Sequence, residues 1–330
     1  MGELSVIELD SPPDDFLSDE PEGAAFHQAF LSSGINEFKC RYLAIYRDNQ
    51  RVAVVPYFLS TLHPGTLLPD GFLQKILSPL KLHIACVGHP STDFGAIDGE
   101  VTADIMALVN ATLAKKAALI AYKGFTSTLP LSGFTRARGL PVAVLNVGGD
   151  YYSGLDARRR NDFKHKLEKA QSLRFEEHKG LPEALISAVF QLYLNTYKHA
   201  TMRFERLTLA YFEKTAAFST YLLFFEADRL IGFAQIIEKN HKALFKYVGM
   251  DYLHNRQYGL YYVICLKGIE TCLREGFHRL ELGVTSYHFK RLLGSELIET
   301  SLYFRHNNVY INWLLGKLKF LIEPTDTELM

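Results

Sequence analysis

The stretch from Tyr221 to Val284 limits the fold more than any other part of the chain. Two apolar runs, Tyr221–Glu226 and Ile231–Glu238, flank Ala227-Asp228-Arg229-Leu230 and read as a hairpin. His241–Gly249 is a third strand, followed by a polar loop at Asp251–Tyr258 and a helix over Gly259–Glu275. Leu260, Val263, Ile264, Leu266, Ile269 and Leu273 recur at helical spacing and give that helix its buried face. Gly276 ends it, and Arg279–Val284 is the strand behind it. Strands and helices in this order belong to a mixed α/β fold, not to an all-helical or all-β one.

Upstream, Tyr151–Ser172 is a charged amphipathic helix in which Arg158, Arg159, Arg160, Lys164, His165, Lys166 and Lys169 accompany an apolar stripe of Leu155, Phe163, Leu167 and Ala170. Pro182–His199 and Leu207–Phe218 are two more helices, with Pro182 where a first helical turn tolerates it. The first half follows a shorter version of the scheme. Arg41–Ile45 and Arg51–Phe58 form a hairpin about Asp48-Asn49-Gln50. A strand at His83–Gly88, a turn at Gly88–Gly95, a helix at Val101–Lys116 and strands at Ala118–Tyr122 and Pro141–Val147 complete it. With 330 residues, two domains are expected. The division reads as an acidic N-terminal segment (1–30), a shortened first α/β module (31–147), a second module (148–312) and a C-terminal extension (313–330). Similarity between the halves is too weak to establish a duplication from residues alone.

Lys plus Arg and Asp plus Glu are balanced at 36 each. Proteins held on DNA by counterion release carry a basic excess, so no DNA partner is expected and any anionic ligand must be held by a few placed groups. The N-terminus lacks the basic and apolar regions of a signal peptide, and Val6 stands where a myristoylation signal prefers Ser or Thr. No apolar run has the length of a membrane helix, which makes a cytoplasmic location without a membrane span the expectation. Cys40, Cys86, Cys265 and Cys272 form no CxxC pair and no zinc-like spacing, so no metal is expected. Cys265 and Cys272 lie two helical turns apart, too far for a disulfide, and read as core residues in a reduced compartment.

The informative junction is Arg256-Gln257-Tyr258-Gly259, between the third strand and the long helix. A helix N-terminus exposes unpaired N–H groups and the positive end of its dipole, and binds phosphate without a net positive protein. Gly259 lets the backbone approach an anion, and Arg256 can add a bidentate charge. An Arg-x-x-Gly tetrad also occurs by chance, with the glycine a turn residue and the arginine a solvated charge. The strands and helix on either side favour the anion site.

With these elements in place, the strand pair, the Arg256–Gly259 turn, the helix and His278-Arg-Leu-Glu-Leu-Gly283 resemble the acyl-CoA-binding core of GNAT acyltransferases. Tyr151-Tyr-Ser-Gly-Leu-Asp-Ala-Arg-Arg-Arg-Asn161 and Glu281-Leu-Gly-Val-Thr-Ser-Tyr-His-Phe-Lys-Arg-Leu-Leu-Gly294 resemble the segments that open and close the second module in the FemAB-like, CelD/BcsL-type branch. Gly88–Gly95 is similar to the turn of that branch's shortened first module. The resemblance implies tandem GNAT-like modules, the first inactive. It implies transfer of an acyl group from acyl-CoA, or from an acyl-carrier thioester, to a small-molecule amine. Coenzyme A would be held by Val248, Arg256, Gln257, Tyr258, Gly259, Leu260 and Lys290. The family's phosphate loop reads Arg/Gln-x-x-Gly-x-Gly/Ala, whereas Tyr261 stands at the last position here. That departure keeps open a Fem-type transferase using aminoacyl-tRNA on a peptide or peptidoglycan precursor. A third alternative is a catalytically inactive GNAT-fold binding protein.

Acyl transfer to an amine needs a base, an oxyanion donor and an acid for the departing thiolate, and no nucleophilic residue. The resemblance puts Tyr287 near the sulfur as candidate general acid; a tyrosine packed in the core is the other reading. Glu281 alternates with Leu280 and Leu282, so it is buried or faces the site, as base or as anchor for the substrate ammonium. Lys290, three residues after Tyr287, shares its helical face and could hold a phosphate or a carboxylate, or form an exposed salt bridge. His288 points away and reads as structural. Tyr247, Lys246 and Gln235 would line the acceptor side. Arg203 and Glu205 could reach the acceptor or pair with each other in a loop. The Arg158–Arg160 run is either a solvated face or the border of a groove that attracts an anionic carrier such as an acyl carrier protein.

Overall fold

A computed structural model describes residues 2–62, 81–148, 151–200, 205–325 and 329. The chain opens with β1 (Leu4–Leu9), α1 (Ala24–Leu31), β2 (Lys39–Arg47), β3 (Gln50–Leu62), β4 (Leu82–Val87) and β5 (Asp98–Gly99). It continues with α2 (Ala103–Ala114), β6 (Leu119–Phe125), β7 (Thr135–Arg138), β8 (Val142–Asn146), α3 (Ala157–Lys169) and β9 (Arg174–Lys179). Then come α4 (Glu183–His199), α5 (Leu209–Thr215), β10 (Ser219–Glu226), β11 (Arg229–Lys239), β12 (Lys242–Met250), α6 (Tyr252–Tyr258) and α7 (Leu260–Arg274). The last elements are β13 (Arg279–Gly283), α8 (Tyr287–Leu292), β14 (Glu296–Ile298), β15 (Ser301–His306) and α9 (Val309–Lys317).

Two mixed sheets carry the α/β fold. The first has eight strands in the order β1-β2-β3-β4-β6-β15-β7, with β5 on the side of β3. The second has seven, in the order β14-β8-β13-β12-β11-β10-β9. Each contains four successive antiparallel strands, then one parallel pair (β4 with β6, β12 with β13), then an antiparallel neighbour (β15 or β8). This shared order is the internal repeat that the residues alone do not establish. Turn chemistry explains the hairpins: Asp48 and Asn49 between β2 and β3, and Asn240 and His241 between β11 and β12, all have positive φ, which short polar side chains tolerate best.

The chain divides into two compact units, one of residues 1–16, 36–142 and 298–330 and one of residues 17–35 and 143–297. This differs from the expected division at both ends. The acidic N-terminal segment is not a separate piece. β1 is the edge strand of the first sheet, its backbone paired with β2 from Leu4 opposite Arg47 to Leu9 opposite Tyr42. Residues 19–22 instead follow β12, where Asp19 accepts from Asn240 and the carboxylates of Glu20 and Glu22 meet Lys242 and Lys246. At the other end, β15 inserts between β6 and β7, so the chain from Ser301 on belongs with the first sheet and not with the second module.

A further correction concerns Asp251–Tyr258, expected as a loop. It is the helix α6, N-capped by Asp251 through the N–H of Leu253 and closed by Gly259 in the left-handed region (φ 63°). The N-cap and the left-handed glycine together delimit one short helix, a signal that the polar composition hides.

In the second unit, α7 packs Leu260, Val263, Ile264, Ile269 and Cys272 on Ala234, Ile236, Ala243 and Phe245. The opposite face of this sheet carries α4 and α5. Gly249 is what lets α4 come so near: a Cβ built there would lie 2.8 Å from the backbone atoms Leu192 C and Tyr193 N. In the first unit, Ile105, Met106, Val109 and Leu113 of α2 pack on Leu43, Val55, Val87, Ile120 and Tyr122.

Candidate functional site

The site grows from a break in the second sheet. Among the described residues, the parallel pairing of β12 with β13 covers only Lys242 with Arg279, Ala243 with Leu280 and Leu244 with Glu281. Beyond Leu244, β12 runs on to Met250 paired with β11 alone. Its register shifts there, because Phe245 is opposite Ile236 but Tyr247 is opposite Gln235, leaving Lys246 as the extra residue of a bulge. The two strands therefore part at their C-terminal ends and leave facing backbone edges into which an extended ligand can fit.

The helix α7 starts beside this opening. Gly259 lies between α6 and α7, and a Cβ built on it meets no atom within 4 Å. Arg256 and Gln257 are exposed next to it. The other expected cofactor residues can offer only backbone: Tyr258 is buried with its hydroxyl on Glu226 (2.6 Å), Leu260 is in the core, and Val248 packs against that core. His254, between Glu226 (2.9 Å) and Asp251 (3.1 Å), and Arg229 on Asp251 (2.7 Å) fasten α6 in place. Tyr261 turns its ring onto Phe289 of α8, with centroids 4.6 Å apart. Its N–H is accepted by the side-chain carbonyl of Asn255 at 2.9 Å. One of the three N–H groups that open α7 is thus already committed. The residues present suit a phosphate at Arg256, Gln257 and Gly259, with one donor fewer than a bare helix start offers.

The turn from β13 into α8 is strained. Gly283, Thr285 and Ser286 have φ of 74°, 74° and 50°, a region that non-glycine residues occupy only when the surroundings hold them there. Lys290 does the holding: it is buried, and its ammonium donates to the carbonyls of Gly283 (3.0 Å) and Val284 (2.9 Å). This corrects both expectations for Lys290, since it is neither an exposed ion pair nor turned to a phosphate. Tyr287, in the first turn of α8, is buried.

A polar cluster covers the face of the sheet opposite α7. Glu281 points away from the buried Leu280 and Leu282 and is held by Arg279, with Nε at 3.2 Å and a terminal nitrogen at 3.1 Å. Tyr247 donates to the carboxylate of Glu205, which is buried just before α5. The ring of Tyr247 meets those of Tyr211 (5.6 Å) and Tyr193 (5.9 Å) edge-on. The hydroxyl of Tyr193 accepts from Leu207 N (2.9 Å) and donates to the backbone carbonyl of Glu205 (3.2 Å). That of Tyr211 is buried without a hydrogen-bond partner among the described residues. Burial pushes the Tyr211 phenol far above its ordinary range, and the neighbouring Tyr221, Glu205 and Glu22 act in the same direction. Lys246 pairs with Glu22, its ammonium 4.8 Å from the ring centre of Phe26, and His27 is buried beside it. Burial, then the Lys246 charge, pushes the His27 imidazole down to about 3.

Gln235 lies under α5, wholly buried, with its amide on Thr215 (2.9 Å) and Ser219 (3.0 Å), so it supports the cluster from behind instead of lining an open surface. Arg203 falls outside the described residues. Tyr193, Tyr211, Glu22 and His27 were not expected at the site. The tyrosines sit in apolar helical patterns that read as core, and Glu22 and His27 belong to or adjoin a segment that reads as an acidic lead-in.

Elsewhere, Arg158 and Lys164 on α3 are exposed, while Arg159 pairs with Asp156 (3.2 Å) and Lys166 with Asp162 (3.4 Å). In the first unit the place corresponding to the opening is filled by the chain itself: the Gly88–Gly95 turn closes on β6, with Gly95 N donating to Gly124 O at 2.9 Å. All four cysteines are buried, and burial pushes each thiol up to about 12, which leaves no reactive thiolate. Among the described residues no group of three or more His, Cys, Asp or Glu is arranged to hold a metal, and no helix is long and apolar enough to cross a membrane.

No family model matches the sequence, and no curated protein matches it. Solved structures do match over most of the chain. L-PGS from Bacillus licheniformis superposes with a TM-score of 0.56 at 8% identity, over 94% of this chain and 98% of the other. FemX gives 0.55 at 11% identity, over 84% and 90%. A tandem GNAT protein from the clavulanic acid biosynthesis pathway gives 0.52 at 11% identity, over 93% and 99%. With its parted parallel strands, the helix start beside them and the same strand order in both sheets, the chain has the fold of the tandem GNAT proteins.

Proposed function

We propose that the second unit is an N-acyltransferase that moves an acyl group from acyl-CoA, or an acyl-carrier thioester, to an amine by direct attack. The observation that carries this reading is the opening between β12 and β13, with the N-terminus of α7 at one side and the half-buried Tyr247 on the buried Glu205 carboxylate at the acceptor face. The donor brings an activated acyl thioester; everything else falls to this chain. Arg256, Gln257 and the open backbone at Gly259 hold the pyrophosphate. Glu281, neutralised in part by Arg279, anchors the substrate ammonium. Glu205 takes up the proton that the amine must lose, passed through the Tyr247 hydroxyl. The backbone edge of β12 that β13 leaves beyond Leu244 offers N–H groups to the developing oxyanion. Tyr287 returns a proton to the departing sulfur.

A Fem-type reading with aminoacyl-tRNA as donor rests on one specific observation: Asn255 occupies the N–H of Tyr261 that a pyrophosphate would otherwise use. Calorimetry with CoA and acyl-CoA separates the two. Micromolar binding that disappears in Gly259→Trp supports the thioester donor, and absence of binding by either compound overturns it. Binding without turnover of any member of a broad amine panel favours an inactive, ligand-binding GNAT fold.

A further inference from the structure

The C-terminal helix of the first unit leaves most of its apolar side chains exposed. At roughly 100° per residue, Val309, Tyr310, Trp313 and Leu314 share one arc of α9. That arc faces outward, with Val309 77%, Tyr310 85% and Trp313 65% exposed. The side turned to the domain carries Asn312, Gly316 and the half-buried Leu315. Asn312 accepts from His306 N (3.0 Å) and reaches Gly133 O (3.4 Å), and a Cβ on Gly316 would lie 3.0 Å from the Thr135 hydroxyl. No residue of α9 is buried. The apolar surface continues past the helix through Leu318, Phe320, Leu321 and Ile322, all of them exposed. Isolated apolar residues on a surface need no explanation, but nine in one segment of fourteen residues do.

The charges in and beside the helix itself are basic. Lys317 and Lys319 lie within the segment, and the exposed Arg136 and Arg138 of β7 border it. The single carboxylate between residues 309 and 325, Glu323, is already held by Arg138 N (3.0 Å) and lies 3.7 Å from Lys319. Asp326 and Glu328 follow outside the described residues. Tryptophan and tyrosine rings interleaved with leucine and lysine, on a helix too short to span, match the composition of helices that lie in the plane of a bilayer interface. Lysine and arginine at the border match anionic headgroups.

We propose that residues 309–322 form an interfacial anchor that lies in the headgroup region of an anionic lipid bilayer. The anchor is independent of any reading of the acyl-transfer site. A second copy of this chain could cover the same apolar face, but it would bring the same lysines and arginines against one another, whereas anionic lipid neutralises them.

The chain contains a single tryptophan, so its emission reports on this helix alone. Full-length protein is titrated with vesicles of phosphatidylcholine containing phosphatidylglycerol, and with vesicles of phosphatidylcholine only. The expected result is a blue shift of Trp313 emission and co-sedimentation with the anionic vesicles, both weakened by salt. The double variant Tyr310→Ser/Leu314→Ser, altered only at exposed positions, should lose partitioning by about tenfold or more while its circular dichroism is unchanged. No shift and no co-sedimentation with anionic vesicles overturns the proposal, as does equal binding to neutral ones. A blue shift that grows with protein concentration in the absence of lipid, with a dimer in sedimentation velocity, also overturns it and assigns the face to a second copy.

Discussion

The hydroxyl of Tyr247 donates to the carboxylate of Glu205, a buried side chain with no salt bridge among the described residues. A buried carboxylate that keeps a phenol partner on the acceptor face is placed to act as the base proposed above. Glu205→Gln keeps the shape and removes the basicity. We expect kcat/KM for acyl transfer to fall by about a hundredfold or more, with Tm unchanged or slightly raised. Steady-state kinetics and a thermal melt on the same preparation test this; activity within threefold of the parent would remove Glu205 from the role of base.

Lys290 gives a prediction about stability that follows from its two carbonyl partners. In Lys290→Met the carbonyls of Gly283 and Val284 lose their donor, and the left-handed residues Thr285 and Ser286 lose their brace. Leaving these half-buried acceptors without their donor costs about 1–2 kcal/mol, to be read from urea unfolding. Tyr287 follows directly on this turn, so kcat should fall further than any change in donor affinity. A variant as stable and as active as the parent would show that the turn does not need its brace.

What the sequence reveals and what it hides differ in physical kind. The hairpin β10–β11, the strand β12, the helix α7 and the strand β13 are legible because each is an uninterrupted apolar pattern bounded by turn residues. β9 (Arg174–Lys179) is not, because an edge strand of Arg, Glu, His and Lys lacks the apolar alternation of a half-buried strand. β15 is readable as a strand only with knowledge of the sheet it joins, and its place between β6 and β7 is a long-range pairing that no local pattern encodes. At the site, the alternation around Glu281 puts it opposite the core face, as the structure has it, but the Arg279 partner is two residues along the same strand. Lys290 misleads because a lysine is normally solvated, and its burial depends on a turn whose left-handed residues are Thr and Ser and not only glycine.

Two glycines of the second unit should respond differently to the same change. Gly249→Ala drives a methyl group against the backbone of Leu192 and Tyr193, which cannot move without displacing α4. We expect a loss of about 2–3 kcal/mol. Gly276→Ala meets nothing within 4 Å and pays only for its left-handed backbone (φ 74°), about 1 kcal/mol. Guanidinium unfolding of the two variants side by side gives the order, and a reversed order would mean that α4 does not rest on β12 at Gly249.

His27 links the site to pH. Its folded-state value, pushed down to about 3 by burial and the Lys246 charge, lies below the 6.5 of a free imidazole. Between these values the unfolded chain binds a proton that the folded chain does not. The contribution is therefore fully present above about pH 6.5 and is lost as pH falls towards 3. Between pH 6.5 and 5, before most carboxylates titrate, this one group should remove up to about 1.4 kcal/mol per pH unit. His27→Gln removes the titration and leaves the other histidines in place, so the difference in unfolding free energy between parent and variant isolates it. The parent's stability should fall more steeply than the variant's over this interval, by a slope approaching one proton. Parallel curves would mean that His27 takes up its proton in the folded state, and that burial and the Lys246 charge do not keep it neutral.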